Sequence, residues 1–385
     1  MRDVVVVTGY LLRCPLAGYA WQALHYLQGL RDLGFDPLFY EDTAYYGECL
    51  DPVRGSVDEV TPAALAFAGG FFAEHGFGDR WVFHDVQRDR FHGRDRAETE
   101  ALLHAARLLL SLAAVNRLPR GIGRRRVFVD IDPAVTQIEA ERSGALRELL
   151  DEYDVHFTIG ENIGRTPCAV PSGGREWLPT RQPIALGLWT PQPPAPAAPY
   201  TTIGRWDERR RVQQLGEQVY SWSKRDQWLR FLELPRRSGA AFELAMDVDT
   251  APGDRAALGA EGWAVVDPIA VSTDAARYRD YIRRSRGEFS VAKELNVHLA
   301  TGWFSDRSAC YLAAGRPVIV QDTGFGAVLP TGAGLFAFNT PDDAVDAVRA
   351  VETDWDLHSA AARRIAEQHF AAAWVLSDLL ARSGL

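Results

Sequence analysis

Apolar and polar positions along this chain group into short, uniformly hydrophobic runs separated by stretches with helical spacing, a pattern that predicts buried strands alternating with amphipathic helices. Val4 to Val7 is apolar throughout and leads into Thr8-Gly9, which predicts a strand buried on both faces. Helical spacing follows from about Tyr19 to Leu33, and Phe35 to Tyr40 predicts a second strand, so the chain opens as a βαβ unit. Leu102, Leu103, Leu108, Leu109 and Leu112 fall on one face of a predicted helix of about twenty residues. Further strands are predicted at Val127 to Val129 and near Val155 to Ile159. Residues 50–98 mix glycine, aromatic and charged residues, and predict short helices and loops over the sheet.

The sharpest change is TPQPPAPAAPY, Thr190 to Tyr200, where five prolines in eleven residues predict an extended linker. A second alternation follows. TTIGRW leads in from Thr201 to Trp206, with strands predicted at Val219 to Trp222, Phe242 to Met246, Trp263 to Val266, Phe289 to Ala292 and Pro317 to Gln321, and a helix near Asp226 to Leu232. The expected organisation is an α/β chain of two Rossmann-like, doubly wound domains. They span residues 1–190 and 201–370 across a linker at 191–200, and a helix at 371–385 returns toward the first domain.

Composition narrows the function classes. A chain of 385 residues has room for two cores, and 47% hydrophobic with 24% charged residues is ordinary globular composition. A net charge of −9 argues against a nucleic-acid acceptor, although a local basic groove would be compatible with one. Cys14, Cys49, Cys168 and Cys310 have no CxxC spacing, so neither disulfides nor a structural metal is expected. The valine run is too short for a signal-peptide core and no apolar stretch is long enough to cross a bilayer, so a cytoplasmic protein is expected. Among 42 basic residues only Lys224 and Lys293 are lysines, which singles both out for inspection.

Candidate chemistry gathers at predicted strand ends. Thr8-Gly9 and Gly18 place a glycine-bearing loop between the first strand and helix, where backbone N–H groups can meet a ligand, yet no GxGxxG is present. Ser305 and Asp306 suit the start of a helix that stops at Gly315; the same helix end could meet a diphosphate, with Arg307 and Lys293 as charge partners and Gly324 allowing close approach. Asp130 and Asp132 follow the strand Val127 to Val129, where they could face a cleft or cap the next helix. His156 and Glu161 flank the last strand before the linker.

The run GWFSDRSACYLAAGRPVIVQDTG, Gly302 to Gly324, resembles the donor-binding loop, helix, Gly-basic-Pro-Val turn and strand of GT-B glycosyltransferases, and Thr8-Gly9 with Gly18 resembles their N-terminal glycine loop. The resemblance implies an N-terminal acceptor domain and a C-terminal nucleotide-sugar domain facing a cleft. It implies a donor site at Gly9, Gly18, Lys224, Arg225, Lys293, Ser305, Asp306, Arg307 and Gly324, the basic pair Lys224-Arg225 meeting the pyrophosphate. It also implies an acceptor side at Asp130, Asp132, His156 and Glu161; the two aspartates also look like the D-x-D metal motif of the GT-A glycosyltransferase fold, a reading set aside because the two-domain pattern is that of GT-B. No metal or cofactor is expected, because the GT-B fold normally needs none and the nucleoside-diphosphate sugar is a co-substrate. One departure stands out: the family's E-x7-E glutamates fall on Gly302 and Cys310, which cannot replace carboxylates and leave the ribose contact and stereochemistry open.

The expected function is metal-independent transfer of a sugar from a nucleoside diphosphate to a small-molecule or macromolecular acceptor. The alternatives are a nucleotide-sugar epimerase or hydrolase of the same fold, and a non-catalytic nucleotide-sugar-binding protein. Donor base, sugar, acceptor and oligomeric state are left open.

Overall fold

A computed structural model describes residues 2–44, 47–113, 115–195, 197–208 and 211–385; Pro196 of the proline-rich stretch lies outside them. In the first half, β1 (Val4–Thr8), α1 (Ala17–Asp32) and β2 (Asp36–Asp42) form the βαβ opening. A small antiparallel pair follows, β3 (Cys49–Asp51) with β4 (Ser56–Asp58), then α2 (Pro62–Glu74), β5 (Trp81–Asp85) and β6 (Arg90–His92). The half continues with α3 (Arg96–Ala105), β7 (Ala106–Leu112), β8 (Arg125–Asp130), α4 (Val135–Arg142), α5 (Gly144–Leu150), β9 (Val155–Thr158) and β10 (Leu178–Pro179). These strands order as β10-β9-β8-β7-β1-β2-β5-β6, parallel except where β6 pairs with β5.

Two expectations need correction here. The helix expected to carry Leu102 to Leu112 ends at Ala105, and the remainder is β7, a strand hydrogen-bonded to β1 on one side and β8 on the other. Leu108, Leu109 and Leu110 are buried because helices cover both sheet faces, and such a continuous apolar run carries no period to separate strand from helix. The stretch 50–98, expected to hold only helices and loops, supplies β5 and β6 to the sheet, with Val82 and Phe83 fully buried.

The second half begins with β11 (Tyr200–Gly204), followed by the hairpin β12 (Val212–Leu215) and β13 (Gln218–Ser221). The strand expected at Val219 to Trp222 therefore belongs to a separate two-stranded ribbon and not to the main sheet. Next come α6 (Arg225–Leu229), α7 (Leu234–Ser238), β14 (Phe242–Met246), α8 (Asp254–Ala260), β15 (Trp263–Val266), α9 (Pro268–Ser272), α10 (Ala275–Arg284) and β16 (Gly287–Ser290). The chain closes through α11 (Glu294–His298), α12 (Asp306–Ala313), β17 (Val318–Gln321), β18 (Leu335–Phe338), α13 (Pro341–Thr353), α14 (Trp355–His369) and α15 (Ala372–Arg382).

Its six main strands order as β15-β14-β11-β16-β17-β18, all parallel. Counting only parallel strands, the second sheet has the doubly wound order 3-2-1-4-5-6 and the first has the same order with β10 added as a seventh strand, the switch points lying between β1 and β7 and between β11 and β16. Two parallel Rossmann-like sheets therefore present ligand-binding edges at Thr8 and Leu112 in one half and at Gly204 and Ser290 in the other.

The halves are tied together at several points. The C-terminal α15 packs on α1 so closely that a Cβ at Gly29 would lie 2.6 Å from Leu376 and 2.8 Å from Ala372. Gly160, beyond β9, forms an antiparallel bridge with Trp303 in the loop before α12. Among the described residues no helix is long and apolar enough to cross a membrane.

Candidate functional site

The loop leaving β1 is held rigid by a carboxylate that no local pattern announced. Glu41 is fully buried at the end of β2 and accepts the backbone N–H groups of Leu12 (2.7 Å) and Arg13 (2.8 Å) and the Arg13 Nε–H (3.1 Å). Asn116 donates from Nδ2 to the Gly9 carbonyl at 2.7 Å while its Oδ1 accepts the Asp42 N–H at 2.9 Å. Gly9 is thus fixed at the sheet edge, where an added Cβ would come within 3.1 Å of the Phe39 ring. Gly18 sits in the first turn of α1 facing the second half, 3.7 Å from the Tyr278 hydroxyl by the same measure. Tyr10 and Tyr19 pack against each other with ring centroids 4.5 Å apart; burial raises both phenols well above their ordinary range, so both are neutral donors.

Opposite this loop the second half gathers cations. Lys293, just beyond β16, places its ammonium 3.5 Å from the centre of the Trp222 ring and donates to Asp132 Oδ1 at 3.1 Å. Lys224 precedes α6 with its ammonium 5.5 Å from the Trp303 ring centre. Burial brings its pKa down to about 7, and the like charges of Arg307 and Lys293 push in the same direction. The two lysines, 69 positions apart in sequence, therefore lie in one another's field.

Arg307, in the first turn of α12, is fully engaged: Nε donates to buried Glu288 at 2.7 Å, Nη1 to the Ile203 carbonyl at 2.6 Å and Nη2 to Ser290 Oγ at 2.9 Å. It ties β11, β16 and α12 together and contributes charge more than free donors. Arg205, immediately past β11, is exposed and close enough to Cys14 of the first half for its charge to oppose the upward shift that burial imposes on the thiol. In the sequence its only signal is the Gly204-Arg205 pair within the TTIGRW lead-in.

The other expected residues divide. Asp132 reaches the cation cluster. Asp130 does not: its carboxylate is wholly buried, Oδ1 accepting Thr136 Oγ1 (2.7 Å) and the Asp132 N–H (3.2 Å), Oδ2 accepting Gln137 Nε2 and Thr158 Oγ1 (2.8 Å each). Burial raises its pKa against these bonds, and it braces the turn that carries Asp132. The two carboxylates, each a candidate for the acceptor side, thus have opposite surroundings. His156 is a packing residue, edge-on to Trp177 at 5.5 Å, its Nε2 bonded to the Leu150 carbonyl at 2.8 Å. Glu161 is locked by Arg181 through 2.7 and 3.1 Å contacts, and Arg181 also donates to the Val328 carbonyl of the second half at 3.0 Å. It clamps the two halves instead of facing an acceptor.

Arg225 is likewise withdrawn, its guanidinium paired through Nε and Nη2 with Asp254. Ser305 occupies the N-cap position of α12 without a capping bond from its side chain, and the Asp306 carboxylate accepts the Arg307 N–H at 2.8 Å. Asp306 also lines a small cavity with Gly18, Tyr278 and Cys310. Gly324, at φ 86°, and Gly302, at φ 75°, accommodate Asn162 from the first half, whose Nδ2 donates to the carbonyls of Ala300 and Gly324 at 3.0 Å each. Added Cβ atoms would lie 2.7 Å from Asn162 Nδ2 at Gly324 and 2.9 Å from its Cγ at Gly302. Cys310, at the place of a family glutamate, is buried with its Sγ 3.7 Å from His25 Nε2.

Two doubly wound sheets sharing the 3-2-1-4-5-6 parallel order, with charge concentrated where their carboxyl edges meet, define the GT-B fold. Solved structures share it along the whole chain. An alpha-glucosyltransferase in complex with UDP and a 13-mer DNA matches with a TM-score of 0.59 at 11% identity, covering 100% of both chains. AviGT4, a glycosyltransferase involved in avilamycin A biosynthesis, matches at 0.56 and 12% identity over 99% of this chain and 97% of its own. The Anabaena protein HepE in complex with UDP matches at 0.56 and 10% identity over 100% of both. No protein-family model and no curated protein sequence matches the chain.

Proposed function

We propose that this chain is a glycosyltransferase using a nucleoside-diphosphate sugar. The observation that carries the reading is the convergence of the chain's only two lysines, 224 and 293, beside Arg307 and the start of α12, at the switch point of the second sheet. A diphosphate placed there meets charge in partly buried surroundings, where each charge-assisted bond is worth about 1.5 to 3 kcal/mol. Arg205 adds an exposed cation close to Cys14 of the first half.

In the reaction, an acceptor atom approaching from the first half attacks the anomeric carbon. The bond from that carbon to the diphosphate oxygen breaks, and the electron pair leaves on the diphosphate, where Lys224, Lys293 and the α12 N–H groups stabilise it. In this proposal the protein's own cations offset the leaving charge and no metal is required. The acceptor's proton passes to a carboxylate at the cleft or to solvent.

The test is thermal unfolding with UDP, GDP, ADP and dTDP and their glucose derivatives, since binding to the folded state raises the midpoint. Stabilisation by one base class supports the reading, and none by any member refutes it. Release of an altered or hydrolysed donor without acceptor would mark an epimerase or hydrolase; binding without turnover would mark a binding protein.

A further inference from the structure

We infer that Asp132 occupies the place of a donor phosphate in the free protein, so that donor binding displaces it and frees it for the acceptor. The inference rests on the donor reading above. Asp132 belongs to the first half, just past β8, while Lys293 belongs to the second, just past β16, so their 3.1 Å ion pair spans the cleft.

Lys293 is three-quarters or more covered, with 19% side-chain exposure, whereas the Asp132 carboxylate retains 41%. The cation is therefore fixed, lying on the Trp222 ring, and the anion is the partner with room to leave. Its mount is rigid: the Asp132 N–H is held by Asp130, itself anchored by Thr136, Gln137 and Thr158.

The charges around the pair explain why a carboxylate is there. Arg307 and Lys293 both oppose the charge on Lys224, and of the two carboxylates that favour it Glu288 is committed to Arg307 and Glu208 lies 3.9 Å from Arg211. Asp132 neutralises the cluster from across the cleft, and a diphosphate carrying two charges would outcompete it for Lys293. Once released, Asp132 sits beside the cation that holds the donor and on the first-half side, where it can accept a hydrogen bond from the incoming nucleophile. Donor then precedes acceptor, and Asp132 is a positioning residue available only after the donor has bound.

The experiment compares binding of inorganic diphosphate and of UDP by calorimetry in the wild type, Asp132→Asn, Lys293→Met and the double variant, with thermal unfolding confirming that each is folded. Asparagine keeps the shape but withdraws the competing charge. Diphosphate should bind Asp132→Asn more tightly than wild type, by up to about fivefold for a partly exposed pair, and the gain should vanish in the Lys293→Met background. Equal or weaker binding by Asp132→Asn, or a gain that persists without Lys293, would overturn the inference. If diphosphate shows the gain but no nucleotide binds, the donor reading fails and the displaced carboxylate stands.

Discussion

Lys224 offers the most direct quantitative test. Its pKa is brought from 10.5 down to about 7 by burial and by Arg307 and Lys293, so near neutral pH the free site holds roughly half a proton there. A nucleotide sugar has a constant diphosphate charge above pH 3 or so, and its arrival opposes the very terms that lower the pKa. If binding restores an ordinary lysine pKa, affinity is level below about pH 6 and falls about tenfold by pH 8 and about 90-fold by pH 9. Binding at pH 8 should take up about 0.9 proton. Calorimetry in buffers of different ionisation enthalpy measures that uptake, and Lys224→Met should abolish both it and the pH slope. The same shift acts on stability with a fixed sign: the unfavourable protonation of Lys224 burdens the fold below about pH 7 and is relieved as pH rises toward 10.5. Flat affinity from pH 6 to 9 with no proton uptake would show that Lys224 does not meet the donor.

Two further perturbations separate structure from chemistry. Asp130→Asn places an NH2 group against donors that now meet a carboxylate, so thermal unfolding should register a loss of about 1 to 3 kcal/mol, while donor affinity in calorimetry changes little; a large fall in transfer with unchanged stability would return Asp130 to the active site. Gly324→Ala combines φ 86° with a Cβ 2.7 Å from Asn162 Nδ2. It should cost at least about 1 kcal/mol from the left-handed backbone alone and loosen the two halves, seen as a larger radius of gyration in small-angle scattering; an unchanged midpoint and radius would refute the role of Asn162 as a pin.

Local pattern determined a large share of the architecture. Val4 to Val7, the helix after it, Val127 to Val129 and the run from Phe242 to Gln321 could be read because a strand's apolar run and a helix's spacing are written in adjacent residues. Lys224 and Lys293 could be singled out by rarity alone. What the sequence could not say was which neighbour of a chemically similar pair faces the cleft. Lys224 and Arg225 are adjacent, but Asp254, 29 positions on, captures the arginine and leaves the lysine among other cations. Asp130 and Asp132 follow one strand, yet Thr158 of β9 and Gln137 of α4 draw Asp130 inward, while Asp132 meets a lysine 161 positions away. A side chain's chemistry depends on burial and on charges within a few ångströms, and those neighbours arrive from distant parts of the chain only when the two sheets have been brought edge to edge.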